Sequence, residues 1–208
     1  AGAERVFAVL DEPSEDKSGE FTMDNSTGNI EFNHVDFSYI QGKQVLHDFN
    51  LKVKAGQKVA LVGSTGSGKT TVVNLLMRFY DIDNGSITID GINIKDIDCE
   101  NLRKNTAIVL QDTVLFADTV KNNLLYSRQD ATDTEIIAAA KKANCHNMIM
   151  HLPDGYDSML AKDGQNLSQG QRQLLSIARA FVASPKILIL DEATSSVDTR
   201  TEKKIQDA

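Results

Sequence analysis

The sequence predicts an α/β fold that has an antiparallel, β-rich edge at its N-terminal side and an inserted helical subdomain. Two observations predict this class. Residues 30–53 alternate apolar and polar positions with the period of two that is typical of β-strands. Beyond them, short apolar runs of strand length are separated by longer segments with a helical pattern, as in α/β proteins.

The predicted elements follow in order from the N-terminus. Residues 1–10 place apolar side chains on one face of a helix. Residues 11–29 are acidic and rich in turn-forming residues, which is typical of a linker. After the strands within residues 30–53, the apolar run 58–62 is predicted to be a buried strand that ends at a glycine-rich loop. Residues 70–80 have the largely apolar pattern of a buried helix.

The second half of the chain contains further strands and most of the helices. Residues 87–91 predict a strand and a tight turn, and residues 107–110 predict another strand. Residues 112–167 are helical in pattern. Another helix follows and is expected to end at Pro185. Residues 186–190 have the length and composition of a fully buried strand.

Two sequence signals mark the starts of helices. Thr132 with Glu135, and Ser168 with Gln171, have the spacing of a capping box. In that motif the first side chain accepts from a free backbone N–H of the first turn, and the fourth residue's side chain accepts in return. We therefore expect helices to begin at both places.

Composition excludes several classes of protein. The 208 residues are 41% apolar and 25% charged, as in a globular chain, and their length favours one domain or a core with an inserted subdomain. The formal net charge of −7 disfavours a general nucleic-acid coat, so we expect no nucleic-acid partner. The longest apolar runs span only a few residues, whereas a membrane-crossing helix needs about 20. Cys99 and Cys145 are too few for a disulfide framework, and we expect free thiols.

One stretch has the spacing G-x-x-x-x-G-K-[ST] of a phosphate-binding loop. Its residues are Gly63, Ser64, Thr65, Gly66, Ser67, Gly68, Lys69 and Thr70, and Thr71 follows. Glycines allow successive backbone N–H groups to point at one phosphate, and the next helix adds its partial positive N-terminus. Lys69 would reach the β- and γ-phosphates, and the Thr70 hydroxyl would ligate Mg²⁺. A flexible glycine loop is the alternative, but the predicted strand and helix on either side favour a nucleotide site.

A second motif, the acidic pair Asp191 and Glu192, follows the last predicted strand. Asp191 is placed to hold Mg²⁺, directly or through water. Glu192 would orient and deprotonate an attacking water if it lies within hydrogen-bond reach. Such a pair alone is often solvated surface. Together with the phosphate loop it predicts hydrolysis of a nucleoside triphosphate.

With these motifs in place, the sequence resembles the nucleotide-binding domain of ATP-binding cassette transporters, whose core is a P-loop NTPase of RecA-like fold. Leu167, Ser168, Gln169, Gly170 and Gln171 resemble the family signature LSGGQ, with a glutamine in place of one glycine. In the family, the signature of one subunit caps ATP that is held by the phosphate loop of the other. The resemblance therefore implies ATP and Mg²⁺, and a second nucleotide-binding domain as partner, in a homodimer or a heterodimer.

Further positions match the family. Tyr39 ends a stretch that resembles the strand whose aromatic residue stacks on adenine. Gln111 resembles the glutamine that contacts Mg²⁺ and water and reports to the membrane domain. Ser195 and Asp198 lie in a stretch that resembles the loop at the dimer seam. The resemblance thus implies Glu192, Gln111 and Lys69 as catalytic residues, and Thr70, Gln111 and Asp191 as metal ligands.

The resemblance also implies a domain organisation, that of an exporter of the multidrug or lipid type. Residues 1–29 would end the segment that joins a membrane domain to the cassette, and residues 30–111 would form the first part of the ATP-binding core. Residues 112–167 would be the helical subdomain, and residues 168–208 the signature helix and second acidic strand. The chain is then expected to be a fragment truncated at both ends. It would lack the last core strands and the family's switch histidine, and would turn over ATP weakly or not at all.

The full-length protein is expected to be an integral membrane protein that powers export, with its cassette on the cytoplasmic face of the cell membrane and a transmembrane domain in the same transporter. Two alternatives remain. A non-transport cassette ATPase that remodels DNA or ribosomes would be expected to carry basic or coiled-coil inserts, and none is present. The other alternative is a module that binds ATP with little turnover.

Overall fold

A computed structural model describes residues 2–12, 19–110, 114–191, 201–203 and 205 of the chain. The helices are α1 (Gly2–Leu10), α2 (Lys69–Leu76), α3 (Cys99–Lys104), α4 (Val120–Leu125), α5 (Asp133–Lys142), α6 (His146–Met150) and α7 (Gln169–Ala183). The strands are β1 (Ile30–Ile40), β2 (Lys43–Val53), β3 (Asn84–Ile89), β4 (Ile92–Asn93), β5 (Thr106–Val109) and β6 (Ile187–Leu190). Short 3₁₀ turns cover Gly155–Asp157 and Lys162–Gly164. The predicted α/β class is confirmed.

Strands β1 to β4 form the predicted antiparallel sheet, in the order β2-β1-β3-β4. Phe32 of β1 lies opposite Leu51 of β2 and Ile87 of β3, so apolar residues of neighbouring strands meet on one face. This face packs against α2 and α3 in a first core, whose members include Val35, Leu75 and Leu102. The alternating pattern of residues 30–53 therefore predicted the sheet correctly.

A parallel pair of strands, β5 and β6, lies between two cores. Thr106 pairs with Ile187 and Val109 pairs with Leu190. Because side chains alternate along a strand, Ile187 packs into the first core while Val109 packs into a second core. The second core joins α4, α5, α6 and α7. Ala140 of α5 and Ile177 of α7 are both fully buried in it.

The prediction of a strand at residues 58–62 is wrong. These residues form no strand in the structure, and Val62 is 93% exposed. A strand needs a neighbour to receive its backbone hydrogen bonds, and among the described residues no strand pairs with this segment. The same reason explains why β6 is less buried than predicted. It pairs with β5 along one edge, and Leu188 and Leu190 remain 37% and 38% exposed.

The predicted linker is attached to the sheet over its second half. Met23 is buried in the first core, and Phe21 forms a bridge with Ile97. The Asp90 carboxylate accepts six hydrogen bonds from side chains and backbone N–H groups of residues 26–29. Burial of Asp90 opposes its ionisation, but these donors outweigh that effect and hold the pKa of its carboxyl well below the usual range.

Helix α1 exposes its apolar side chains. Val6, Phe7, Val9 and Leu10 are all more than half exposed. The described part of the chain contains no helix with the length and apolar character that crossing a bilayer requires. The two cysteines are free, as predicted, and both are buried. Burial raises the pKa of the Cys145 thiol to about 12, so this thiol stays protonated at neutral pH.

Candidate nucleotide-binding site

The phosphate loop is a tight turn that depends on its glycines. Ser67 N–H donates to the Ser64 carbonyl at 3.1 Å. Gly66 and Gly68 have φ of 82° and 90°, values that side chains disfavour. A Cβ on Gly63 would lie 2.3 Å from the Ser67 hydroxyl, and a Cβ on Gly68 would lie 2.9 Å from a Leu46 methyl. The loop therefore keeps its backbone accessible only with glycine at these positions.

Helix α2 begins directly at the end of this loop. Gly68 is its N-cap and has no capping side chain, and the first turn contains no acidic residue. The first helical hydrogen bond runs from Val72 N–H to the Gly68 carbonyl at 3.0 Å. The N–H groups of the first turn thus lack a capping side chain, while the helix dipole favours negative charge there. Both features suit a phosphate group.

Lys69 holds its ammonium group over the loop. Its Nζ donates to the carbonyl oxygens of Gly63 at 2.7 Å and Ser64 at 3.0 Å. These partners are neutral, so an anion that enters the loop would gain a charge-assisted contact with Nζ. The structure therefore brings the predicted lysine and the glycine loop together.

Tyr39 lies beside α2, although it belongs to β1. Its hydroxyl donates to the Thr71 hydroxyl at 3.2 Å and accepts from the Asn74 side-chain amide at 3.2 Å. Tyr39 as a whole remains 44% exposed. The predicted aromatic residue is thus connected to the helix that starts in the phosphate loop.

Asp191 follows β6 and continues its pairing, because its N–H donates to the Val109 carbonyl at 2.9 Å. Thr70 is exposed in the first turn of α2. Ile187 of β6 and Leu75 of α2 belong to the same core, so the acidic strand and the loop's helix pack in one unit. The predicted catalytic and seam residues Gln111, Glu192, Ser195 and Asp198 lie outside the described residues.

The donor set fits Mg²⁺ in chemical type. Thr70 and Asp191 offer a hydroxyl and a carboxylate oxygen, which are hard ligands of the kind that Mg²⁺ prefers. Within the described ranges, no group of three His, Cys, Asp or Glu side chains is arranged to hold a metal ion. Mg²⁺ commonly uses one or two carboxylates together with substrate phosphates rather than an all-protein cage, so the residues present suit this ion.

The signature stretch forms the N-terminus of α7. Ser168 Oγ accepts from Gln171 N–H at 3.2 Å, and Gln171 Oε1 accepts from Ser168 N–H at 2.8 Å. The capping box predicted here is confirmed, as is the one of Thr132 and Glu135 at α5. Helix α7 packs in the second core, whereas α2 packs in the first. The two helix N-termini therefore belong to separate cores.

The sequence patterns did not indicate one partly buried residue, Arg179. Arg179 of α7 donates to the Val114 carbonyl at 2.9 Å and to the Asn123 carbonyl at 2.8 Å. Its guanidinium also lies 5.7 Å from the ring centres of Phe116 and Tyr126, a cation–π distance. Burial lowers the pKa of Arg179. No local signal distinguishes this arginine in the sequence, because its partners are remote along the chain.

Comparison with known proteins gives a consistent family match. The model of the family described as ABC transporter matches residues 46–195. The chain is 53% identical over its whole length to an uncharacterized ABC transporter ATP-binding protein, YfiC, of Bacillus subtilis, of which it covers 35%. It is 51% identical to a fatty acid ABC transporter ATP-binding/permease protein of Mycobacterium tuberculosis, of which it covers 33%.

It is also 50% identical to the ATP-dependent lipid A-core flippase of Legionella pneumophila, of which it covers 35%. The chain thus spans about a third of the length of these curated relatives. Among solved structures, a bacterial Atm1-family ABC exporter with ATP bound superimposes with a TM-score of 0.87 at 38% identity. That match covers 99% of this chain and 36% of the exporter chain.

Proposed function

The chain belongs to the ABC transporter family, and we propose that it is the ATP-binding and ATP-hydrolysing cassette of an exporter. The observation that carries this proposal is the phosphate loop. Its glycines keep the backbone open, α2 begins without a capping side chain, and the Lys69 ammonium lies over the loop. The loop and the helix offer backbone N–H donors, and the lysine offers a positive charge, to the phosphates of a nucleoside triphosphate.

Hydrolysis is proposed to proceed by attack of a water oxygen on the γ-phosphorus. The bond from that phosphorus to the bridging oxygen breaks, and ADP and phosphate leave. Lys69 and the N–H groups of the loop stabilise the negative charge on the phosphate oxygens. Glu192 is proposed to orient the water and take its proton, with Gln111 beside it. Thr70 and Asp191, with Gln111, would hold Mg²⁺, which neutralises phosphate charge when bound.

A second cassette is proposed to complete the site. Ser168, Gln169 and Gly170 at the N-terminus of α7 would contact the triphosphate held by the partner's loop, as in the family. The Ser168 hydroxyl accepts the cap hydrogen bond with its oxygen, so its own hydrogen is available to donate to a phosphate. Ser195 and Asp198 are proposed to line the seam. ATP binding would then bring the cassettes together and hydrolysis would release them.

The full-length protein is proposed to carry a transmembrane domain fused to this cassette and to sit in the cell membrane, with the cassette on the cytoplasmic side. Relatives at 50% identity or above are named as an ATP-binding/permease protein and as a flippase, which supports this arrangement. Their names, which mention a fatty acid and lipid A, favour the lipid type among the two exporter types that the sequence resembles. Residues 30–111, 112–167 and 168–208 are proposed as core, helical subdomain and signature segment.

The first test removes the lysine. In the full-length protein, Lys69→Ala should lower ATP affinity by about 10- to 100-fold, because it deletes a charged hydrogen bond to phosphate. Binding is measured by titration with ATP and Mg²⁺, and hydrolysis by phosphate release. Lys141→Ala, at an exposed lysine of α5, is the matched control and should behave as wild type. ATP binding and hydrolysis that survive Lys69→Ala unchanged would contradict the proposed function.

A further inference from the structure

The family resemblance implies Tyr39 as the aromatic platform for adenine, and Tyr39 belongs to a cluster of three aromatic rings. The Tyr80 ring is perpendicular to the Tyr39 ring, with 5.0 Å between ring centres. Phe37 is also perpendicular to Tyr39, at 4.8 Å, and lies 5.8 Å from Tyr80. Perpendicular contacts of this kind are the preferred geometry of aromatic pairs. Two neighbouring rings therefore fix the plane of Tyr39 while part of it stays exposed.

The far end of Tyr39 is fixed as well. Its hydroxyl donates to Thr71, which is buried, and accepts from Asn74 one turn later on α2. Helix α2 starts at Lys69, inside the phosphate loop. The distance from the aromatic platform to the phosphate site is thus set by one helix. Contacts at the ring and at the hydroxyl therefore restrict the Tyr39 side chain to one rotamer.

The segment that carries Tyr80 is held by two arginines. Arg78 leaves the helix with φ of 52°, a left-handed conformation that is uncommon for a bulky residue. Its guanidinium donates to the carbonyls of Ile94 at 3.1 Å and Ile97 at 3.0 Å. Arg103 in turn donates to the Arg78 carbonyl at 2.9 Å. The backbone before Tyr80 is therefore fixed against the rest of the first core.

We propose that Tyr80 is a positioning residue for the base of the bound nucleotide, a role that rests on the proposed function. It holds the Tyr39 ring in the plane in which a purine can stack on the exposed part of that ring. Stacking on a ring that is already oriented avoids the entropy cost of ordering the side chain during binding. Tyr80 thus contributes to affinity for the base and leaves the affinity for the triphosphate unaffected.

Phe79 provides a control that distinguishes this positioning role from a general contribution to packing. Phe79 and Tyr80 are adjacent, lie in the same fixed segment and are each 49% exposed. The Phe79 ring, however, lies 5.0 Å from the Arg103 guanidinium, whereas the Tyr80 ring contacts Tyr39. A loss of packing in the segment would follow from either truncation. Only the loss of the Tyr80 ring should weaken binding of the base.

The test compares Tyr80→Ala, Tyr80→Phe and Phe79→Ala in the full-length protein. Tyr80→Ala should raise the KM for MgATP by about three- to tenfold, the range expected for one aromatic contact, with kcat within about twofold of wild type. The inhibition constant of magnesium tripolyphosphate, which has no base, should not change. Tyr80→Phe keeps the ring and should restore the KM, and Phe79→Ala should match wild type. Asn74→Ala, which removes a hydrogen bond to the Tyr39 hydroxyl, should raise the KM by about two- to fivefold.

The proposal is overturned by any of three results. These are an unchanged KM in Tyr80→Ala, an equal loss of affinity for ATP and tripolyphosphate in that variant, or an equal rise of the KM in Phe79→Ala. Where Tyr80→Ala does not fold, Tyr80→Leu, which keeps an apolar side chain but removes the ring, decides the question with the same two probes. Lys69→Ala distinguishes this inference from the proposed function. If it weakens both probes while Tyr80→Ala weakens neither, only the role of Tyr80 fails.

Discussion

At the scale of single residues, Asp90 and Arg179 connect parts of the chain that are distant in sequence. Asp90 sits with φ of 50° in the two-residue turn between β3 and β4, and its carboxylate faces residues 26–29. Arg179 joins α7 to the segment that contains Val114 and to Asn123. Asp90 satisfies backbone N–H donors of a segment that has no sheet or helix of its own, and Arg179 satisfies one carbonyl of irregular backbone, that of Val114, and one carbonyl of α4, that of Asn123.

The depressed pKa of Asp90 predicts a pH dependence of stability. Its pKa is lower in the folded chain than in the unfolded chain, so its contribution is present above about pH 4, the usual aspartate value, and is lost as pH falls below it. Asp90→Asn should lower the free energy of unfolding by about 1–2 kcal/mol at pH 7, a value reduced for solvent exposure, and by less at pH 3. Urea unfolding at both pH values measures this. Asp130→Asn, at an exposed loop aspartate, serves as control, and an equal loss at both pH values would contradict the assignment.

At the scale of elements, α5 and α7 begin with the same local device. In α5, Glu135 Oε2 accepts from Thr132 N–H at 2.8 Å, and in α7, Gln171 Oε1 accepts from Ser168 N–H at 2.8 Å. Each cap satisfies donors that the helix itself leaves without partners. The proposed difference is functional, because only the N-terminus of α7 is proposed to face a phosphate in the partner cassette.

The pair of caps therefore gives a matched experiment. Ser168→Ala and Thr132→Ala should each destabilise the protein by about 1 kcal/mol, the usual cost of an N-cap hydroxyl. Ser168→Ala should in addition lower the ATPase rate by about tenfold or more, because a hydrogen bond to phosphate is lost, while Thr132→Ala should leave it close to wild type. Thermal unfolding and phosphate release measure the two effects. Equal activities in the two variants would remove Ser168 from the site.

At the scale of the whole molecule, the two helix ends that are proposed to bind phosphate belong to different cores. Helix α2 packs in the first core and α7 in the second, with β5 and β6 between them. One chain therefore presents a phosphate loop and a signature on different bodies of packed side chains. This division supports a site completed by a second copy of the cassette.

An assembly of this kind predicts trapping by a variant that binds ATP without cleaving it. Glu192→Gln removes the proposed base and should reduce kcat by at least about a hundredfold, since general bases contribute 10²–10⁴-fold. The full-length variant should retain ATP through gel filtration, and adding Ser168→Ala should release it. Retention that does not depend on Ser168 would argue against a site shared between cassettes.

Much of the fold was predictable because its signals are local. The alternation of residues 30–53 predicted β1 and β2, the two capping boxes predicted the starts of α5 and α7, and residues 187–190 formed the predicted strand. The helix predicted over residues 70–80 ends at Leu76, because Arg78 turns into a left-handed conformation held by carbonyls of remote residues. No pattern near Arg78 indicates those partners.

The sequence by itself determined where the phosphate loop, the second acidic motif and the signature lie, since each consists of neighbouring residues whose spacing sets its chemistry. The tertiary structure alone decided that residues 58–62 form no strand, that Asp90 binds residues 26–29, and that Tyr39 lies between Tyr80 and Asn74. The physical reason is one of distance along the chain. A cap or a loop finds its hydrogen-bond partners within a few residues, whereas a strand, a partly buried arginine such as Arg179 or an aromatic cluster depends on partners that only folding brings near.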